Sequence, residues 1–228
     1  MTAIRPGVFF APRTELPRGR HALDRETVRA EQRERLMAVY TELVAHHGYA
    51  SVTVTSVVAH AAVSREAFYA AFDDLAGCAD AAYERFIAVL LGELALAIGR
   101  ATDWHALVEA AIRAYLETLQ ADPVVARAMQ VEMDAAGKPA RVRRRTALKQ
   151  MADVLAARHA EVRRGDPSLG PLPDEAFLGY VYAMRQLASD LLEDDPEPDL
   201  LALVEPTVRW VAAGVNGAAR TEGSLRTM

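Results

Sequence analysis

The stretch Thr53–Phe72, T-V-T-S-V-V-A-H-A-A-V-S-R-E-A-F-Y-A-A-F, contains two helix starts separated by a tight turn. Val54, Val57, Val58 and Ala61 stand at i, i+3, i+4 and i+7, one apolar helical face, and Thr53 precedes them as an N-cap. Ala62-Val63 is a break, with Val63 placed to plug the angle between two helices. Ser64 is the next N-cap, and Phe68, Ala71 and Phe72 turn inward behind it. The opposite face carries Arg65, Glu66 and Tyr69. A short helix anchored by two phenylalanines and displaying arginine and tyrosine suits the DNA major groove, where arginine reads guanine edges.

Working outward, the preceding segment from Asp24 to His47 is a helix whose inward stripe is Leu36, Val39, Tyr40, Leu43 and Val44. Gly48 stops it. Beyond Phe72 the periodicity is helical to about Val215, with no strand pattern and no repeat. Asp103 caps one helix. Asp122-Pro123 opens another, with proline at the first helical position. The fold class is all-α, with about nine helices. The expected divisions are an irregular arm over 1–24, a three-helix module over 25–72, a helical body over 73–215 and a frayed tail over 216–228.

Residues Arg33 to Phe86 resemble the DNA-binding domain of the TetR family of helix-turn-helix transcriptional regulators. Gly48-Tyr49, Ala61-x-Val63-Ser64 and Phe68-Tyr69-x-x-Phe72 carry the resemblance. The chain departs from the family at Ala62, where glycine is usual, at Ala71, where histidine is frequent, and at Leu75, where a phosphate-binding lysine is usual. The resemblance implies a ligand-responsive repressor that binds a near-palindromic operator as a homodimer, with an effector pocket inside the body. The expected DNA-binding residues are Thr53, Thr55, Ser64, Arg65, Glu66, Ala67 and Tyr69. In the arm, Pro17-Arg18-Gly19-Arg20 is similar to an AT-hook core, so Arg18 and Arg20 are candidate minor-groove contacts.

The expected effector is a small, largely apolar molecule: Trp104, Tyr115, Met129, Met133, Met151, Tyr180 and Met184 together could line an adaptable apolar pocket. Glu132, a carboxylate on an apolar face, pairs there with a cationic ligand or an internal arginine. The default for each is core packing. The last two helices are apolar nearly all round and need a second partner. Phe177, Val181, Met184, Leu191, Leu201, Val204 and Val208 are therefore the expected dimer interface, with burial within one chain as the alternative.

Composition limits the other classes. The 228 residues carry a net charge of −5, which argues against a surface built for non-specific nucleic-acid binding. Through Phe72 there are nine arginines against seven acidic residues, a local +2. A mildly basic module on an acidic body fits a protein that touches DNA at one end. The single cysteine, Cys78, excludes an internal disulfide and fits a reducing cytoplasm. Phe86–Ile98 carries Glu93 and falls short of the ~20 residues a membrane span needs. No signal peptide, metal site, cofactor motif or catalytic constellation is expected, so an enzyme is not. The rival from another class is a helical small-molecule sensor or carrier that has lost sequence-specific DNA binding.

Overall fold

The computed structural model describes residues 3–11, 25–166 and 168–212. Its elements are α1 (Arg25–His47), α2 (Val54–Ala61), α3 (Arg65–Ala71), α4 (Leu75–Ile98), α5 (Trp104–Ala121), α6 (Pro123–Gln130), α7 (Gly137–Gly165) and α8 (Asp174–Asp194). Residues 204–212 are also helical, and there is no strand among the described residues. Short 3-10 turns cover Tyr49–Ser51, Glu132–Ala136 and Leu200–Leu203. The chain divides into two units, 1–89 with 121–137, and 90–120 with 138–228. The division falls inside α4, later than the expected step at residue 72, and α6 belongs to the first unit.

In the first unit α1 packs against α2, α3 and α6. Of the stripe that the periodicity predicts, Leu36, Tyr40, Leu43 and Val44 are buried and Val39 is half-buried. Val57 of α2, Phe68 of α3, and Cys78, Ala82 and Phe86 of α4 are buried in the same unit. The Tyr40 hydroxyl donates to the Met133 sulfur at 3.6 Å. Arg33 closes the C-terminal end of α3. Its Nη1 donates to the Ala71 carbonyl at 2.7 Å, and its guanidinium lies 4.3 Å from the Phe72 ring centre. A cation there satisfies an orphan carbonyl and opposes the negative end of the helix.

The expected arm needs correction over residues 3–11. Phe9 and Phe10 are fully buried and Ile4 nearly so, with the Phe9 ring 5.1 Å from that of Phe86. The backbone is fixed as well. Arg5 donates its N–H to Asp122 Oδ2 at 2.7 Å, and Ala11 donates to Glu34 Oε1 at 3.0 Å. Two adjacent large aromatic side chains outweigh the prolines and glycine that suggested an irregular segment. Arg18, Arg20 and the tail from 216 lie outside the described residues.

In the second unit Arg158 joins α7 to the end of α4. It donates to the carbonyls of Ile98 at 3.1 Å, Gly99 at 3.4 Å and Ala101 at 2.6 Å. One guanidinium thus binds three carbonyls at and just beyond the end of α4, where intrahelical donors run out. The α7 helix begins three residues before the expected Ala140. Pro139 sits in its first turn, where the missing N–H has no intrahelical role. No helix is long and apolar enough to cross a membrane among the described residues.

Candidate nucleic-acid interface and ligand cavity

Reciprocal side-chain bonds build the helix-turn-helix. Thr53 Oγ1 accepts the Ser56 N–H at 3.1 Å and Ser56 Oγ accepts the Thr53 N–H at 3.0 Å, a capping box that fixes the start of α2. At its other end Ala62 is left-handed, φ 53° and ψ 43°. The Val63 N–H reaches Val58 O at 3.2 Å and the Ala62 N–H reaches Ala59 O at 3.3 Å, the two bonds of a Schellman stop. Ser64 Oγ then accepts the Ala67 N–H at 3.0 Å and opens α3. Alanine thus takes the conformation for which glycine is the usual residue.

Behind this frame Phe68 is fully buried, while Arg65, Glu66 and Tyr69 face solvent. The structure brings three of the expected residues together. Arg65 Nη1 is 3.5 Å from Thr55 Oγ1, and its guanidinium lies 6.0 Å from the Tyr69 ring centre. Tyr69 packs edge-on against Phe68 with ring centres 5.5 Å apart, so its exposed ring has a rigid support. Thr53 and Ser64 are committed to capping through their oxygens, and the Thr53 hydroxyl also donates to Ser56 Oγ at 3.2 Å. Ala67 is half-buried with its N–H taken, and contributes a methyl. Sequence reasoning passed over His60. It is exposed on α2, and its Nδ1 donates to the Ser56 carbonyl at 2.8 Å.

Cys78 is a buried thiol 3.9 Å from the Leu36 carbonyl. Burial pushes its pKa up to about 12 against a small opposing effect of Arg33. It is a packing residue, since a reactive thiol needs access and a lowered pKa.

The second unit contains a cavity of about 70 Å³, walled by α5, α7 and α8 with Leu94 of α4 and with Thr207 and Val211. Of the eight residues expected to bind a ligand, Trp104, Tyr115, Met151, Tyr180 and Met184 line this cavity. Burial raises the Tyr180 pKa. Three expected pocket residues do not line it. Met129 and Met133 are buried in the first unit. Glu132 lies 3.7 Å from Arg127 Nη2, the internal-arginine alternative. The physical reason is that α6 packs on α1, which the register of α6 alone could not reveal.

The expected dimer face also divides. Phe177, Met184, Val204 and Val208 are buried within the chain, and Phe177 and Val181 line the cavity. Leu201 is exposed and Leu191 half-buried. The large apolar side chains left outside in this region are Tyr182, Leu187, Leu201 and Trp210.

No family model and no curated protein matches the sequence. Solved structures do. The fatty acid degradation regulator FadR from Bacillus halodurans superposes with a TM-score of 0.73 at 18% identity, over 81% of this chain and 96% of that one. FadR from Bacillus subtilis, determined in complex with stearoyl-CoA, gives 0.71 at 15% identity, over 79% and 98%. A TetR-family regulator from Rhodococcus sp. gives 0.65 at 14%, over 83% and 99%. The fold is that of the TetR-family regulators. In TetR-fold terms α2 and α3 are the helix-turn-helix, and the cavity lies in the unit formed from the later helices.

Proposed function

We propose that the protein is a ligand-responsive transcriptional regulator, a repressor that binds a near-palindromic DNA operator as a homodimer in the cytoplasm. One observation carries the reading: an exposed Arg65–Thr55–Tyr69 group on a helix-turn-helix capped at both helix starts. Two copies of α3, one per subunit, enter successive major grooves, which requires half-sites ~34–36 Å apart. Arg65 contacts a base or a phosphate and Tyr69 a phosphate. The N-terminal Arg18 and Arg20 reach into the minor groove. The exposed Tyr182, Leu187, Leu201 and Trp210 supply the dimer contact, since large apolar side chains left at a surface favour a second copy.

The effector is a small, largely apolar molecule held in the cavity. The fold shared with a stearoyl-CoA complex and an apolar wall support that class. The α4 helix supplies the coupling. Leu94 lines the cavity, and Cys78, Ala79 and Ala82 of the same helix are buried in the first unit. Ligand that favours one position of α4 by a few kcal/mol shifts the population able to bind DNA. The reading assigns no catalysis.

Selection of bound sequences from random duplex DNA at two salt concentrations tests this. A two-fold palindrome whose binding weakens steeply with salt is the expected result. Recovery of no motif by folded dimer would overturn it in favour of a sensor or carrier without DNA specificity.

A further inference from the structure

Two buried polar atoms, one on Trp104 of the cavity wall and one on His159 packed against that wall, are left without partners among the described residues. Nε1 of Trp104 and Nε2 of His159 are both shut off from solvent, and neither has a hydrogen bond among the described residues. The two rings meet edge to face, 5.0 Å apart at 85°. The His159 ring is also 5.3 Å from that of Phe177. Trp104 and Phe177 belong to the cavity wall, and His159 is only 4% exposed. A buried N–H with no acceptor is destabilising, and folded proteins keep few of them.

We propose that Trp104 and His159 form a polar subsite of this cavity, which recognises an uncharged oxygen acceptor, a carbonyl or a hydroxyl, on an otherwise apolar ligand. The proposal rests on the cavity being the effector site. Indole N–H can only donate, so the ligand must present an acceptor. Neutral imidazole donates or accepts at Nε2 according to its tautomer, so it serves a ketone or a hydroxyl equally. Burial first, and the nearby Arg163 second, hold His159 below its ordinary pKa of 6.5, which keeps the ring neutral. No residue of the cavity wall is charged, so the wall itself gives a carboxylate no counter-ion, and Arg163, the cation that acts on His159, stands outside the wall. At about 70 Å³ the space is roughly half the ~150 Å³ apolar cavity that admits benzene. A larger ligand must move side chains, and the unbranched Met151 and Met184 are the ones suited to yield.

The test uses the full chain with two probes, octan-2-one and n-octane, followed by the indole N–H resonances in ¹H–¹⁵N spectra. The chain has two tryptophans, and Trp104→Phe assigns the signals. The Trp104 indole proton should move downfield with octan-2-one and not with octane. Trp104→Phe should weaken octan-2-one about tenfold, the loss of one buried hydrogen bond, and leave octane within about twofold. His159→Leu, the second variant, should behave likewise. An unmoved Trp104 signal in the ketone complex, or equal weakening of both probes, would overturn the subsite. Binding of neither probe to the wild type would overturn the subsite together with the cavity reading. Ketone binding that moves the signal but never releases DNA would sustain the subsite and sink only the regulatory reading.

Discussion

Ala62 holds a left-handed conformation, φ 53°, that glycine would adopt without strain. For an L-residue that region costs about 1–2 kcal/mol, partly offset by the extra freedom glycine loses on folding. Ala62→Gly is expected to raise unfolding stability by about 1 kcal/mol in urea titration; an unchanged or lower stability would show that the turn carries no such strain. His159 gives a pH dependence. Its folded-state pKa lies below 6.5, so the unfolded chain takes up the proton first as pH falls. Its contribution is complete above 6.5 and is lost as pH drops through the folded value. Wild type should therefore lose more stability than His159→Leu between pH 7 and 5, and parallel loss would refute the assignment. His159 was legible in principle: it falls on the stripe Leu148, Ala152, Leu155, His159, Val162. What sequence could not show is that its Nε2 would find no partner.

At the level of elements, local chemistry was legible and long-range return was not. The caps Thr53, Ser64, Asp103 and Asp122 all bond as their spacing predicts, because a cap reads only three residues ahead. The assignment of α6 depends on which helix it meets, so Met129, Glu132 and Met133 were placed in the wrong unit. Residues 3–11 were misjudged for the same reason: their partners, Phe86 and Asp122, are distant in sequence. Phe10 is 1% exposed, so Phe10→Ala should cost about 3–5 kcal/mol. Chemical denaturation would measure it, and a loss below about 1 kcal/mol would mean the segment packs only loosely.

At the scale of the whole molecule, the proposed function joins assembly to DNA binding. The exposed Leu187 on α8 is expected to lie in the dimer contact. Leu187→Glu, which places a charge in an apolar interface, should shift the protein to monomer in sedimentation and weaken operator binding by at least about tenfold. A variant that stays dimeric would move the contact elsewhere. The charge distribution was readable from sequence, with +2 through Phe72 against −5 overall, whereas the partition of apolar residues between cavity and outer face required the packed helices.

The central claim is that the exposed face of α3 reads DNA. Its most direct test is an anisotropy titration of the selected operator with wild-type protein and Arg65→Ala, at matched salt. The expected loss is about 1–3 kcal/mol, or roughly five- to 150-fold in affinity, larger for the operator than for random duplex if Arg65 reads a base. Equal affinity of the two proteins for the operator would contradict the assignment of Arg65.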